Sequence, residues 1–213
     1  MQFSIPVDTI KALLLAAGKK DHRYYLNGVL IDVRATDVVA VATDGHKLLA
    51  VPLTPEQPDD GSVPYTVGQY ILPRDILEGL KPAYKGAPAT VTIDPVAQKV
   101  SINTGGSSVT ASLIDGHYPE WRRVVPETVT HQVSQFDPDY IAAFGKMHTL
   151  LGGKHSPAIA HNGDGKEGGG PARIMLAGDA VGVLMPMRHT CAPGVDNPSW
   201  LDRCPQQSTA AAA

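Results

Sequence analysis

Apolar residues gather in short bursts along this chain, and helical spacing interrupts them three times. Residues 26–33 and 38–43 are rich in Val, Leu and Ile, the composition of half-buried strands. Thr43-Asp44-Gly45-His46 is then a tight-turn signal, because Asp bonds its own backbone and Gly takes positive φ without steric cost. Residues 47–53 resume the apolar run until Pro52 and Pro55 stop it. The pattern predicts a three-stranded meander with one face to bury.

A proline opens a helical pattern at Pro6, Pro73 and Pro138, at intervals of 67 and 65 residues. Proline suits a first helical turn, where its missing N–H would have been unpaired anyway. After each comes an acidic residue and an apolar series: Asp8, Ile10, Leu13, Leu14 and Ala17; Asp75, Ile76, Leu77 and Leu80; Asp139, Ile141 and Phe144. Gly18, Gly86 and Gly152 stand where each helix is expected to stop. Three strands follow each helix: the meander, then 90–93, 99–103 and 108–114, then 158–161, 172–176 and 181–187. With a short strand before each helix, the chain reads as three β-α-β-β-β units of an α+β protein.

Composition changes this picture little. The chain has 213 residues, 43% hydrophobic and 18% charged, as in an ordinary protein with a real core. Its longest apolar runs fall short of a membrane span, and MQFSIPVDTIK lacks the basic start and apolar core of a signal peptide, so a cytoplasmic location is expected. Cys191 and Cys204, the two cysteines, both lie in the last stretch and read as thiols of a cytosolic tail rather than a disulfide framework.

Charge adds more. The net charge of −3 argues against nucleic acid taken alone, but its distribution is uneven. The expected helical segments 8–23, 74–85 and 137–154 hold nine basic and six acidic residues, while the remainder holds nine and fifteen. Acids at helix starts and lysines towards helix ends complement the helix dipole, which is one sufficient explanation. The other is a helical face that presents amines to phosphates, in which case Lys11, Lys19, Lys20, Arg74, Lys81, Lys85, Lys146 and Lys154 are the candidate DNA-binding residues. Such residues bind in a sequence-independent, salt-sensitive way and permit sliding.

Three blocks carry a resemblance. RYYLNGVLID followed by VATDGHKLLAVP is similar to the middle domain of the bacterial replicative sliding clamp, the β subunit of DNA polymerase III. IDGHYPEWRRVVP (114–126) resembles the end of that domain, and VLMPMR (183–188) resembles the clamp's C-terminal strand. The resemblance implies the DNA-clamp fold, with helices on one face of antiparallel sheets and two units paired in each domain. Residues 1–126 would be one full domain, its halves 1–59 and 60–126 joined through Pro58-Asp59-Asp60-Gly61-Ser62. Residues 127–190 would be a single half-unit resembling the C-terminal part of the last clamp domain, and 191–213 a disordered tail with Trp200 and Leu201 as its anchors. The clamp's first domain and the first half of its last domain have no counterpart. A phage or mobile-element origin fits that truncation.

The resemblance also implies a groove for short peptides of polymerase and clamp-loader-type proteins. Carried over residue by residue, it uses Arg23, Tyr25, Leu26, Thr43, Gly45, His46, Lys47, Leu48, Pro119, Arg123, Val124, Val183, Leu184, Met185, Pro186, Met187 and Arg188. The two methionines are adaptable and suit several partners, and the arginines at the rim suit carboxylates. Lys47 stands where the family commonly has Arg, which keeps the charge but not the planar fork. Without the resemblance, the same apolar residues read as core strands. Function divides likewise. One reading is a processivity factor encircling double-stranded DNA as a homo-oligomer. A closed ring would take four such chains, since the resemblance implies rings of about a dozen units. The other is a non-encircling module that sequesters clamp-binding peptides.

No enzyme constellation competes, and no cofactor or metal is expected. His148, His155 and His161 match no zinc spacing, Gly152-Gly153-Lys154-His155-Ser156 departs from a phosphate loop, and Ser107 and Ser108 lie outside a nucleophile-elbow pattern. The segment 161–170 is a flexible loop by composition.

Overall fold

The computed structural model describes residues 1–54, 65–84, 86–127, 130, 134–162 and 169–187. Unit 1 runs β1 (Gln2–Pro6), α1 (Val7–Ala16), β2 (Gly28–Val33), β3 (Val38–Thr43) and β4 (Lys47–Leu53). Unit 2 runs β5 (Gly68–Pro73), α2 (Arg74–Glu78), β6 (Pro88–Asp94), β7 (Lys99–Asn103) and β8 (Ser108–Ser112). Unit 3 has α3 (Pro138–Leu150), β9 (Ala158–Ala160), β10 (Ala172–Met175) and β11 (Val181–Leu184). Its expected leading strand is not formed by residues 134–137, and most of the stretch before them lies outside the described residues. So do Lys85, Arg188, the 58–62 link, both cysteines and the expected tail.

Two helices are shorter than their apolar spacing suggests. Pro6 and Pro73 act as N-caps at the ends of β1 and β5, while Pro138 follows an Asp137 cap whose carboxylate accepts the Asp139 N–H at 2.8 Å. α2 stops at Glu78 instead of reaching Gly86. Gly79 loses much backbone entropy in a helix, and Pro82 lacks an N–H and disfavours helical geometry at Lys81. α1 stops at Ala16, because Ala17 turns extended (ψ 148) and the Gly18 N–H goes to the Leu26 carbonyl at 2.9 Å. α3 ends as its glycines imply. Gly152 takes φ +88, and the Gly153 N–H closes on the His148 carbonyl at 2.8 Å.

The strands form two antiparallel sheets, ordered β5-β2-β3-β4-β11-β10-β9 and β1-β6-β7-β8. Units 1 and 2 exchange their first strands: β1 pairs with β6 of unit 2, and β5 pairs with β2 of unit 1. Unit 3 joins by its last strand, β11, laid antiparallel on β4 from Leu184↔Lys47 to Val181↔Ala50. α1 packs between α2 and α3 on one side of the sheets. Among the described residues, no helix is long and apolar enough to cross a membrane.

β2 and β3 are buried at every position, so the half-buried expectation for them does not hold. On the helix side Ile31, Ala40 and Leu49 join Phe3, Leu13 and Phe144 in the main core. On the other side Leu30, Val41 and Leu48 form a second core with Tyr118 and Trp121. The segment carrying Tyr118 and Trp121 lies over that outer face because buried Asp32 anchors it. Its carboxylate accepts the Trp121 indole N–H at 3.0 Å and pairs with Arg122. A buried carboxylate needs such partners.

Arg74 ties the two exchanged units together. Its Nη1 donates to the carbonyls of Leu14, Ala17 and Gly18 at 2.9, 3.0 and 3.1 Å, and its Nε to Glu78 at 2.7 Å. It thus satisfies the carbonyls at the end of α1, which no later helical N–H reaches. Charged hydrogen bonds of this kind are worth about 1.5–3 kcal/mol together with the groups they leave satisfied. Arg74→Met is expected to lower stability by about 2 kcal/mol, measured by urea unfolding.

Candidate functional site

The turn between β3 and β4 is held from within and from behind. Asp44 Oδ1 accepts the N–H groups of His46 (2.9 Å) and Lys47 (3.0 Å), and Thr43 Oγ1 accepts that of Gly45 (3.0 Å). Thr43 Oγ1 also donates to the Lys47 carbonyl at 2.8 Å. Gly45 has φ +90, and a Cβ there would come within 2.9 Å of Arg23 Nη1. Arg23 donates to the Asp44 carbonyl at 2.9 Å while clamped to Asp21 at 2.7 Å. That bonded guanidinium holds the Asp21 carboxyl well below the usual carboxylate range. Arg23 therefore braces the turn.

Beyond β11 the chain runs extended between this turn and the approach to α3. The Met185 N–H donates to the His46 carbonyl and the Met187 N–H to the Gln135 carbonyl, both at 2.9 Å. The result is a cavity of 570 Å³ walled by Gly45, His46, Asp137, Tyr140 and the run Met185, Pro186 and Met187. His46 stacks on Tyr140 with centroids 5.6 Å apart, and Lys47 Nζ sits 4.8 Å over the same ring while paired with Asp44. Burial, with the carboxylates of Asp44, Asp137 and Asp139 nearby, raises the Tyr140 pKa, so its phenol stays protonated at neutral pH. The cavity is a mixed site: thioethers and an aromatic ring for an apolar side chain, and amide, phenol and carboxylate groups for a peptide backbone.

Five of the sequence-predicted groove residues line or border this cavity: Gly45, His46, Met185, Pro186 and Met187. Leu26, Leu48 and Val183 lie instead together in the outer core, with Tyr25 packed against them, and Thr43 is buried in the turn. Pro119, Arg123 and Val124 are exposed on the segment that covers that core. Leu184 is a correction. It is fully buried, but in the helix-side core, because successive residues of a strand face opposite ways and Val183 takes the outer side. Asp137 and Tyr140 escaped sequence reasoning, although an Asp-Pro cap with an aromatic residue in the following turn was a readable signal.

The cations do not form one helical face. Within the three helices stand Lys11, Arg74 and Lys146 against Asp8, Asp75, Glu78 and Asp139. Lys11 is paired with Asp8 at 3.0 Å, and Arg74 is engaged with the end of α1. Lys19, Lys20, Lys81 and Lys154 are exposed but stand in the loops after the helices, since α1, α2 and α3 all end earlier than the charge count assumed. Lys19 reaches Glu78 at 4.0 Å, an approach of little energetic weight at such exposure.

A family model described as DNA polymerase III beta subunit, central domain, matches residues 5–120. The beta sliding clamp of Escherichia coli K12 is 30% identical over 131 residues, covering 60% of this chain and 34% of that protein. The beta sliding clamp of Salmonella typhimurium is 29% identical over 131 residues, again 60% of this chain and 34% of that protein. The chain thus spans about a third of the length of the curated relatives it matches. A crystal structure of the DNA polymerase III subunit beta from Pseudomonas aeruginosa superposes with a TM-score of 0.61 at 18% identity, covering 88% of this chain and 66% of that one. That likeness concerns the fold, and it extends past the stretch that the sequence matches cover. With the family match spanning more than half of its residues, the chain belongs to the family of the bacterial DNA polymerase III beta subunit, the beta sliding clamps.

Proposed function

We propose that this chain is a clamp-type tether of DNA replication. Its cavity captures short, extended peptides of polymerase and clamp-loader-type proteins, and its exposed lysines meet double-stranded DNA without regard to sequence, in a homo-oligomer that can close as a ring of four. The observation that carries the reading is the cavity itself, which pairs the His46 turn of unit 1 with Tyr140 and Met185 of unit 3. Two elements remote in sequence build one mouth. The relatives named above are sliding clamps, which supports the same reading.

The test is fluorescence anisotropy with a labelled peptide carrying Leu and Phe near its end. Binding is expected in the micromolar class, about −8 kcal/mol. No binding at millimolar protein would overturn the groove.

DNA is read separately. Lys19→Ala, Lys20→Ala and Lys81→Ala combined are expected to weaken binding to every duplex alike. They are also expected to flatten the salt dependence by about 0.9 for each phosphate that is no longer neutralised. A loss confined to particular sequences would argue against sliding.

A second reading is a non-encircling module that sequesters clamp-binding peptides, which the cavity favours because all of its lining comes from one chain. Such a module keeps the peptide affinity but stays monomeric with DNA present, which light scattering distinguishes.

A further inference from the structure

The cavity at the His46 turn is walled in part by the run Met185, Pro186 and Met187. That run is tied down at both ends, by the Met185 N–H on the His46 carbonyl and the Met187 N–H on the Gln135 carbonyl. The chain therefore leaves Met187 at the rim of the cavity. Residues 188–213, outside the described residues, continue from this point.

Their sequence suits a return to the same rim. Pro193-Gly194 is a turn signal, proline setting φ for the first central position and glycine taking the second. It stands six residues after Met187 and six before Trp200, so a reversal there brings Trp200 back level with Met187. The segment Trp200-Leu201-Asp202-Arg203 then offers both kinds of side chain that the cavity wall accepts. Tyr140, Met185 and Met187 supply apolar surface for Trp200 and Leu201, and 570 Å³ is ample for an indole ring. Among the described lining residues Asp137 is the carboxylate, and Asp44 and Asp139 add to the negative field at Tyr140. Lys47, over the Tyr140 ring, is already paired with Asp44. Arg203 is the matching cation.

We infer that residues 200–203 of the same chain occupy this cavity, a built-in competitor that a partner peptide must displace. The inference rests on the reading of the cavity as a peptide site and names what regulates it. A tethered ligand needs little affinity of its own. A short linker holds it at an effective concentration of about 1 mM, so a segment that binds at about 0.1 mM leaves the cavity open about a tenth of the time. The apparent affinity for any partner falls by that fraction, about tenfold. Peptides that match the cavity poorly are then excluded, and good ones are captured.

The test joins the labelled-peptide anisotropy to acrylamide quenching of tryptophan fluorescence in the full chain. The chain has two tryptophans and Trp121 is buried, so comparison with Trp200→Phe isolates the Trp200 signal. Trp200 is expected to be shielded relative to a synthetic peptide of residues 188–213, equally at every protein concentration. Tyr140→Ala combined with Met185→Ala is expected to abolish that shielding. Trp200→Ser combined with Leu201→Ser is expected to tighten binding of the labelled peptide about tenfold. Trp200 as accessible in the wild type as in the synthetic peptide overturns the inference, and so does shielding that the cavity variant leaves intact. Shielding that grows with protein concentration also overturns it, because the segment then enters a neighbouring copy. Equal, measurable peptide affinity with and without Trp200 and Leu201 overturns it and leaves the groove standing. A labelled peptide that binds neither chain, with Trp200 shielded and released by the cavity variant, supports the inference and overturns the capture of partners.

Discussion

Phe144→Ala is expected to lower stability by about 3–5 kcal/mol, the usual cost of truncating a buried aromatic side chain. Phe144 is 1% exposed and keys α3 onto the sheet. It sits over Gly182 of β11, so closely that a Cβ on that glycine would fall 2.6 Å from its Cε1. The pair is complementary in shape: a ring where the strand has no side chain. Unit 3 is otherwise held by the four-pair β4–β11 ladder and the packing of α3 on α1. The damage should therefore be local. Amide exchange is expected to accelerate through β9, β10 and β11 while β6 and β7 keep their protection. A loss smaller than about 1 kcal/mol, or exchange raised equally in both sheets, would show that Phe144 is not what seats unit 3.

Tyr140→Ala combined with Met185→Ala is expected to weaken peptide binding by about 2 kcal/mol or more, close to thirtyfold. Both side chains line the cavity, one from the first turn of α3 and one from the residue that follows β11. Each contributes apolar surface at about 25 cal/mol per Å² removed from water, and removing both leaves the bound side chain in solvent. Met185 is 36% exposed, so its truncation leaves the core intact. Leu48 is a poorer target, because it is 3% exposed and its loss would confound affinity with stability. Tyr140 also stacks on His46, so the double variant loosens the wall that unit 1 supplies. Anisotropy with the labelled peptide reads the effect. Unchanged affinity in a variant that still unfolds cooperatively would remove the cavity from consideration.

The reach of sequence reasoning differed between local and long-range features. β2, β3, β4, β7, β10 and β11 lie where runs of Val, Ile and Leu bounded by turn residues place them. The Thr43–His46 turn also forms as read, because its Asp and Gly requirements are met within four residues. Helix starts were legible in Pro6, Pro73 and Pro138, and the end of α3 in Gly152. These are propensities and caps, settled by neighbours in sequence.

The remaining features depend on partners far away along the chain. Apolar periodicity alone extends α2 to Gly86, but Gly79 and Pro82 stop it within five residues. The composition of β2 and β3 cannot distinguish one buried face from two, since only the docking of Trp121 on Asp32, 89 residues away, covers the second. Val183 and Leu184 are equally apolar in sequence, and the pairing of β11 with β4 decides that one faces the outer core and the other the helices. Arg74 is a cation by composition and a cap for α1 by position. The sequence by itself determined the strands and the turn, while Gly45, His46, Met185, Pro186 and Met187 of the cavity lining were named through the family resemblance. Only the tertiary structure decided the exchange of first strands, the meeting of Tyr140 with His46 and the place of β9 at the end of the seven-stranded sheet. Those outcomes are non-local: they follow from which strand edges and apolar faces find one another once the whole chain has closed its core.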